Sequence, residues 1–165
     1  MTHLLVDVVS KNGNLLLNIP LPGHGRPDAD EFAFLDKFGA WMALNGEAIY
    51  STRPWKIYGE GPTRGAGSSL YQGSGPRFVA GDVRFTTKGD ALYAIALGWP
   101  EDRKLVIKSL GSDSSHYRGE IARIGLLGSD SNLVWSRNAD GVTINLPEKT
   151  PSDYAYVFKI NPLRA

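Results

Sequence analysis

The sequence predicts a mainly β protein: a C-terminal antiparallel β-sandwich preceded by a helix–strand–helix unit. Three observations carry this. Beyond residue 78, short segments of strand formers recur about every ten residues with turn residues between them, the pattern of a sandwich and not of a parallel sheet. The run Asn12-Gly13-Asn14-Leu15-Leu16-Leu17-Asn18-Ile19 couples a turn to a continuous apolar stretch, as strands covered on both faces do. Phe32, Leu35, Phe38 and Met42 recur at helical spacing between an acidic start and an Asn-Gly stop. A helix–strand–helix unit is what an α/β barrel or a doubly wound sheet repeats, and one such unit cannot stand alone.

In chain order, residues 4–9 read as helix because Ser10-Lys11-Asn12-Gly13 makes a polar exit with a glycine near the C-cap. A strand is expected over 14–19. The Pro- and Gly-rich stretch Pro20-Leu21-Pro22-Gly23-His24-Gly25-Arg26-Pro27 then leaves the C-terminal end of that strand, where α/β folds place binding loops. In the helix over 28–45, Asp28 caps the N-terminus, Glu31 reaches back, and Asn45-Gly46 ends it. From Gly46 the character changes: strand formers mixed with Pro over 47–58, then a glycine-rich 59–75. This predicts a packed connector and a mobile loop, with a domain boundary between 47 and 60. Strands are expected over 82–88, 91–97 (central in its sheet), 104–108, 121–127, 133–136, 142–146 and 154–160. The chain thus divides into 1–50, a connector over 51–77, and a sandwich over 78–165.

Composition excludes several function classes. The 165 residues are 42% apolar and 21% charged, an ordinary globular balance. A net charge of +1 gives no electrostatic footprint for nucleic acid or an anionic membrane. The basic residues Arg53, Lys56, Arg64, Arg77, Arg84 and Lys88 are scattered, as on a solvated face. With no cysteine, disulfides, thiolate metal sites and cysteine nucleophiles are excluded. His3, His24 and His116 are too dispersed for a metal site, and no Gly-rich phosphate loop joins a strand to a helix, so no cofactor is expected. No apolar window is long enough for a membrane helix, and Met1-Thr2-His3-Leu4 lacks the features of a signal peptide. Nothing indicates a compartment.

Several motifs, in order, carry a resemblance. Ser10-Lys11-Asn12-Gly13-Asn14-Leu15-Leu16-Leu17-Asn18, Asn45-Gly46-Glu47-Ala48-Ile49-Tyr50, Thr52-Arg53-Pro54-Trp55 and Tyr58-Gly59-Glu60-Gly61-Pro62 closely resemble α-L-fucosidases of glycoside hydrolase family 29. Val83-Arg84-Phe85-Thr86-Thr87-Lys88-Gly89-Asp90, Leu92-Tyr93-Ala94-Ile95 and Gly98-Trp99-Pro100 look like that family's C-terminal domain. The resemblance spans essentially the whole chain, and it implies the back portion of such an enzyme. Residues 1–50 would be the last strand and helix of an incomplete (β/α) barrel, followed by the β-sandwich. The implied reaction is retaining hydrolysis of α-L-fucosides, with fucosylated glycans or small α-L-fucosides as partners.

That chemistry needs two carboxyls about 5 Å apart, one as nucleophile and one as acid/base. In the family both lie upstream of the matching segments, so no residue here inherits either role by motif. Glu47 and Glu60, in the connector motifs, are weak catalytic candidates; backbone hydrogen bonding or pairing with Arg53 is their simpler role. Substrate-binding candidates are Asn18 and His24, where a barrel presents residues to substrate, and Trp55, whose ring could stack on a sugar face. The alternatives are a stand-alone chain active through oligomeric assembly and a non-catalytic glycan-binding module. The isolated strand over 14–19 and the apolar helix stripe predict self-association through residues 4–45.

Overall fold

The computed structural model describes residues 1–63 and 77–162. Helix α1 spans Thr2–Ser10 and α2 spans Ala29–Asn45. The strands are β1 Arg53–Glu60, β2 Val83–Lys88, β3 Ala91–Ala96, β4 Lys104–Ile107, β5 Ile121–Leu126, β6 Val134–Asn138, β7 Gly141–Asn145 and β8 Tyr156–Pro162. All pairings are antiparallel and form two sheets, one in the order β1-β2-β3-β8-β5 and one in the order β4-β7-β6.

The two sheets enclose the main core. Val83, Phe85, Leu92, Ala94, Phe158, Ile160 and Ile124 from the larger sheet meet Leu105, Ile107, Val142 and Ile144 from the smaller. The alternate residues of the central strands, Tyr93, Ile95, Leu97 and Val157, point the other way and pack against Val6 of α1, Trp41 of α2 and Ala48. The larger sheet is therefore covered on both faces: helix, sheet, sheet. Its middle strands lose the apolar–polar alternation for that reason, as β3 shows by being buried along almost its whole length.

The seven expected sandwich strands all form, within a residue or two of their expected ends, and 91–97 is central as expected. Two expectations about strands fail. Residues 14–19 are not a strand: they form no ladder, and Leu16 is 87% exposed. A strand needs a neighbour for its N–H and C=O groups, and none of the described residues supplies one. The unit before the sandwich is thus helix, extended segment, helix. Conversely, Arg53–Glu60, expected as connector, pairs with β2 as an edge strand whose register shifts between Pro54 and Gly59. An edge position tolerates Pro54, which has no N–H to donate. Most of the glycine-rich loop expected over 59–75 lies outside the described residues.

The helix ends follow local chemistry. At the end of α1 the left-handed residue is Asn12 (φ 64°), and the Gly13 amide donates to the Val8 carbonyl. Asp28 caps α2 by accepting from the Asp30 and Glu31 amides at 3.0 and 3.2 Å. At the other end Gly46 keeps right-handed helical angles (φ −58°), so the expected glycine stop is replaced by a 3-10 turn over Gly46–Ala48.

Candidate functional site

The seam between helices and sheet holds the most heavily constrained polar groups. Arg84 is the second residue of β2, faces α1, and is 1% exposed. Its Nε donates to Asp7 Oδ1 at 2.7 Å, while Lys11 Nζ donates to Asp7 Oδ2 at 2.7 Å. The guanidinium also lies over the rings of Tyr58 and Phe78, 5.4 and 5.0 Å from their centroids. Gly59 makes room for it: a Cβ there would lie 2.7 Å from Arg84 Cδ and 2.4 Å from the Val83 carbonyl oxygen. Arg84, expected on a solvated surface, is therefore a core residue. The signal in the sequence is a lone cation between strand formers on a strand with two covered faces.

The sequence candidates go to separate places. Glu60, at the end of β1, accepts from the Lys108 and Ser109 amides at 2.7 and 2.8 Å, and so ties the larger sheet to the 3-10 turn Lys108–Leu110 after β4. Glu47 pairs with Lys159 on β8 at 3.1 Å, not with Arg53, and the Lys159 ammonium lies 5.7 Å from the Tyr93 ring centroid. Trp55 is half-buried and edge-on to Phe85, with ring centroids 4.9 Å apart, beside His116 and Tyr117. Asn18 and His24 are exposed in the segment between the helices, where His24 Nδ1 accepts from the Arg26 amide at 3.3 Å. Among the described residues, no hydrogen bond, ion pair or ring contact joins any two of these five.

Electrostatics adds one carboxyl pair, at the N-terminus of α2. The side-chain hydrogen bond between Asp28 and Glu31 lowers the Asp28 pKa and raises that of Glu31. Asp28 also accepts two backbone amides, so the pair serves the helix end. Among the described residues no three His, Asp or Glu side chains gather as a metal site would require. Bracing is what the arrangement accomplishes chemically. Arg84, Glu60 and Lys159 each join two layers or elements that are distant in sequence.

Comparison with known proteins supplies the frame. Residues 77–161 match the family model described as the alpha-L-fucosidase C-terminal domain, and residues 1–47 match the one described as alpha-L-fucosidase. The tissue alpha-L-fucosidase of Homo sapiens is 33% identical over 97% of this chain, which spans 30% of that protein. The alpha-L-fucosidase of Branchiostoma floridae is 30% identical over 97% of this chain, which spans 32% of its length. Among solved structures, the Thermotoga maritima alpha-fucosidase in complex with fucose superposes with a TM-score of 0.70 at 27% identity, covering 96% of this chain and 33% of that one. Two family models fall in consecutive order on one chain, and the same helices and sandwich recur in a solved relative: the chain belongs to the α-L-fucosidase family and corresponds to a C-terminal portion of its members.

Proposed function

We propose that this chain is the C-terminal portion of a retaining α-L-fucosidase, in which the sandwich braces the end of a catalytic barrel. Hydrolysis of α-L-fucosides is carried by carboxyls outside these 165 residues. One observation carries the reading. Helices α1 and α2, in the part of the chain that matches the model described as alpha-L-fucosidase and precedes the C-terminal domain, share a core with the sandwich through Val6, Trp41, Ile95 and Val157, and the buried Asp7–Arg84 pair crosses the same seam. The candidate carboxylates support it too. Glu60 is committed to two backbone amides and Glu47 to Lys159, which leaves neither placed as half of a dyad at about 5 Å.

The test is turnover of a chromogenic α-L-fucoside by the purified 165-residue chain, beside Glu47→Gln and Glu60→Gln. The expected result is no turnover above background for all three. Robust turnover that either substitution removes would overturn the reading and make that carboxylate catalytic.

The surface available for association follows from the packing. Helix α1 is committed to the sheet through the fully buried Val6, whereas Leu16, Leu21 and Phe32 are 87%, 55% and 53% exposed. In the whole enzyme the remaining barrel would cover this apolar surface; in the isolated chain a second copy would. Self-association through the segment after α1 and the outer face of α2 is therefore proposed for the chain alone. A monodisperse monomer by light scattering at tens of micromolar would count against it.

A further inference from the structure

The helical cover on the larger sheet stops short of β5, and a cleft of about 450 Å³ opens there, within the range of roughly 300–1,000 Å³ common for small-molecule sites. Its floor and sides come from strand register. On adjacent strands Arg123 stands opposite Asn161 and Gly125 opposite Lys159, so the side chains of one face line up. Gly125 leaves the middle of the floor open, since a Cβ there would meet no atom within 4 Å. Glu47 and Asp130 complete the rim.

The polar groups of the cleft fall into two sets. Lys159 is held by Glu47, and that hydrogen bond is the main cause that raises its pKa. Arg123, Asn161 and Asp130 are different: among the described residues their side chains make no hydrogen bond or ion pair. They supply a planar fork of donors, a carboxamide that both donates and accepts, and a carboxylate that only accepts. Two cations and two anions line the cleft, so its net charge is zero and neither an anion nor a cation is favoured. A neutral ligand with closely spaced hydroxyls matches this set: adjacent hydroxyls accept from the guanidinium and donate to the carboxylate. Half-buried Leu127 offers an apolar patch for C–H groups.

We infer that the cleft between β5 and the Glu47–Lys159 pair binds a neutral mono- or disaccharide without turning it over. No exposed aromatic ring lines it, so affinity is in the millimolar range. The inference goes beyond the fucosidase reading and holds whether or not the chain belongs to a working hydrolase.

The test is an amide-resolved NMR titration of the 165-residue chain with L-fucose, with lactose and with sodium sulfate, to about 50 mM, beyond a millimolar dissociation constant. The expected result is saturable shifts at Gly125, Gly128 and Asn161 with a sugar and not with sulfate. Arg123→Ala and Gly125→Val should each weaken binding about tenfold or more. Arg123 is exposed and Gly125 has open space, so both variants should keep the parent's thermal midpoint. Absence of saturable shifts with either sugar, equal binding by both variants, or shifts with sulfate alone would each overturn the inference. Turnover assays bear on the fucosidase reading and leave this result untouched.

Discussion

Asp7 on α1 accepts a hydrogen bond from Arg84 on β2 at 2.7 Å, across 77 residues of sequence, and both side chains are almost fully removed from water. Neither charge is tolerable there alone. The carboxylate takes a second donor from Lys11, and the guanidinium adds the Val83 carbonyl and two aromatic faces. The pair fixes where α1 lies on the sheet more narrowly than the apolar contact of Val6 could, because a hydrogen bond between buried charges has few acceptable geometries.

Removing Asp7 should therefore cost far more than a helix-surface substitution. Asp7→Ala leaves Arg84 buried and unpaired, and the expected loss is about 3–5 kcal/mol of unfolding free energy. The double variant Asp7→Leu/Arg84→Met should recover a large part of it, since a packed apolar pair replaces a desolvated ionic one. Urea unfolding of Asp7→Leu, Arg84→Met and the double variant gives the coupling energy, expected at about 1–3 kcal/mol. A coupling near zero would mean that the two side chains act independently.

Glu60 carries a different kind of bridge. Its carboxylate caps the turn after β4, so Glu60→Ala should destabilise the fold by about 1–2 kcal/mol, as loss of a cap does. Glu60→Gln keeps one acceptor oxygen and should cost less. Hydrogen exchange at the Lys108 and Ser109 amides is the direct measurement, expected to quicken in Glu60→Ala more than in Glu60→Gln. Unchanged exchange in both would remove the cap from the account.

How far the sequence disclosed this follows from which residues have one dominant determinant. The strands from β2 onward were legible because turn residues bracket strand formers; Lys88-Gly89-Asp90 is a tight hairpin in which Gly89 takes φ 57°. The run Leu15-Leu16-Leu17 misled because an apolar stretch becomes a strand only beside a partner. Strand β1 is hidden in the sequence because Pro54 and Gly59 look like connector residues, although the edge tolerates the first and the Arg84 side chain requires the second. Arg84 reads as a surface residue in sequence because its partner Asp7 lies 77 positions away. The cleft residues Arg123 and Asn161 carried no motif, and only the pairing of β5 with β8 brings them together.

Alkaline pH should unfold the chain in a definable way. Burial raises the pKa of the Tyr93, Tyr117 and Tyr156 phenols above the ordinary 10.0, and the hydrogen bond that Lys159 donates to Glu47 raises Lys159 above 10.5. In each case the folded state holds its proton more tightly than the unfolded state. The stability this contributes is complete below pH 10 and is lost as pH rises through the folded values. Thermal midpoints should thus be flat approaching pH 10 and fall above it, with these tyrosines ionising late in a near-ultraviolet absorbance titration. Glu47→Gln should blunt the lysine part of that fall and, because the Glu47 charge also raises Tyr93, some of the Tyr93 part, while leaving the contributions of Tyr117 and Tyr156. A midpoint that stays level through this range would contradict the assignment.

Among the described residues, α2 is buried most deeply at its C-terminal end. Trp41 is 2% exposed and its Nε1 donates to the Ala155 carbonyl at 2.9 Å, and Asn45 is buried four residues on. Toward the N-terminus the contacts thin out: Phe32 is 53% exposed, and Phe34 and Phe38 stack on each other at 5.8 Å. Local opening follows local burial, so amide exchange should be graded along the helix, fast over 29–38 and slow over 39–45. Trp41→Phe removes the indole donor but keeps most of the apolar contact, and should cost about 1 kcal/mol; Trp41→Ala should cost about 3–5 kcal/mol. It should also release the whole helix, so that the protected C-terminal turns come to exchange as fast as the N-terminal ones. Uniform protection along α2 in the parent chain would show instead that its apolar N-terminal face is already covered, as self-association through that face would cause.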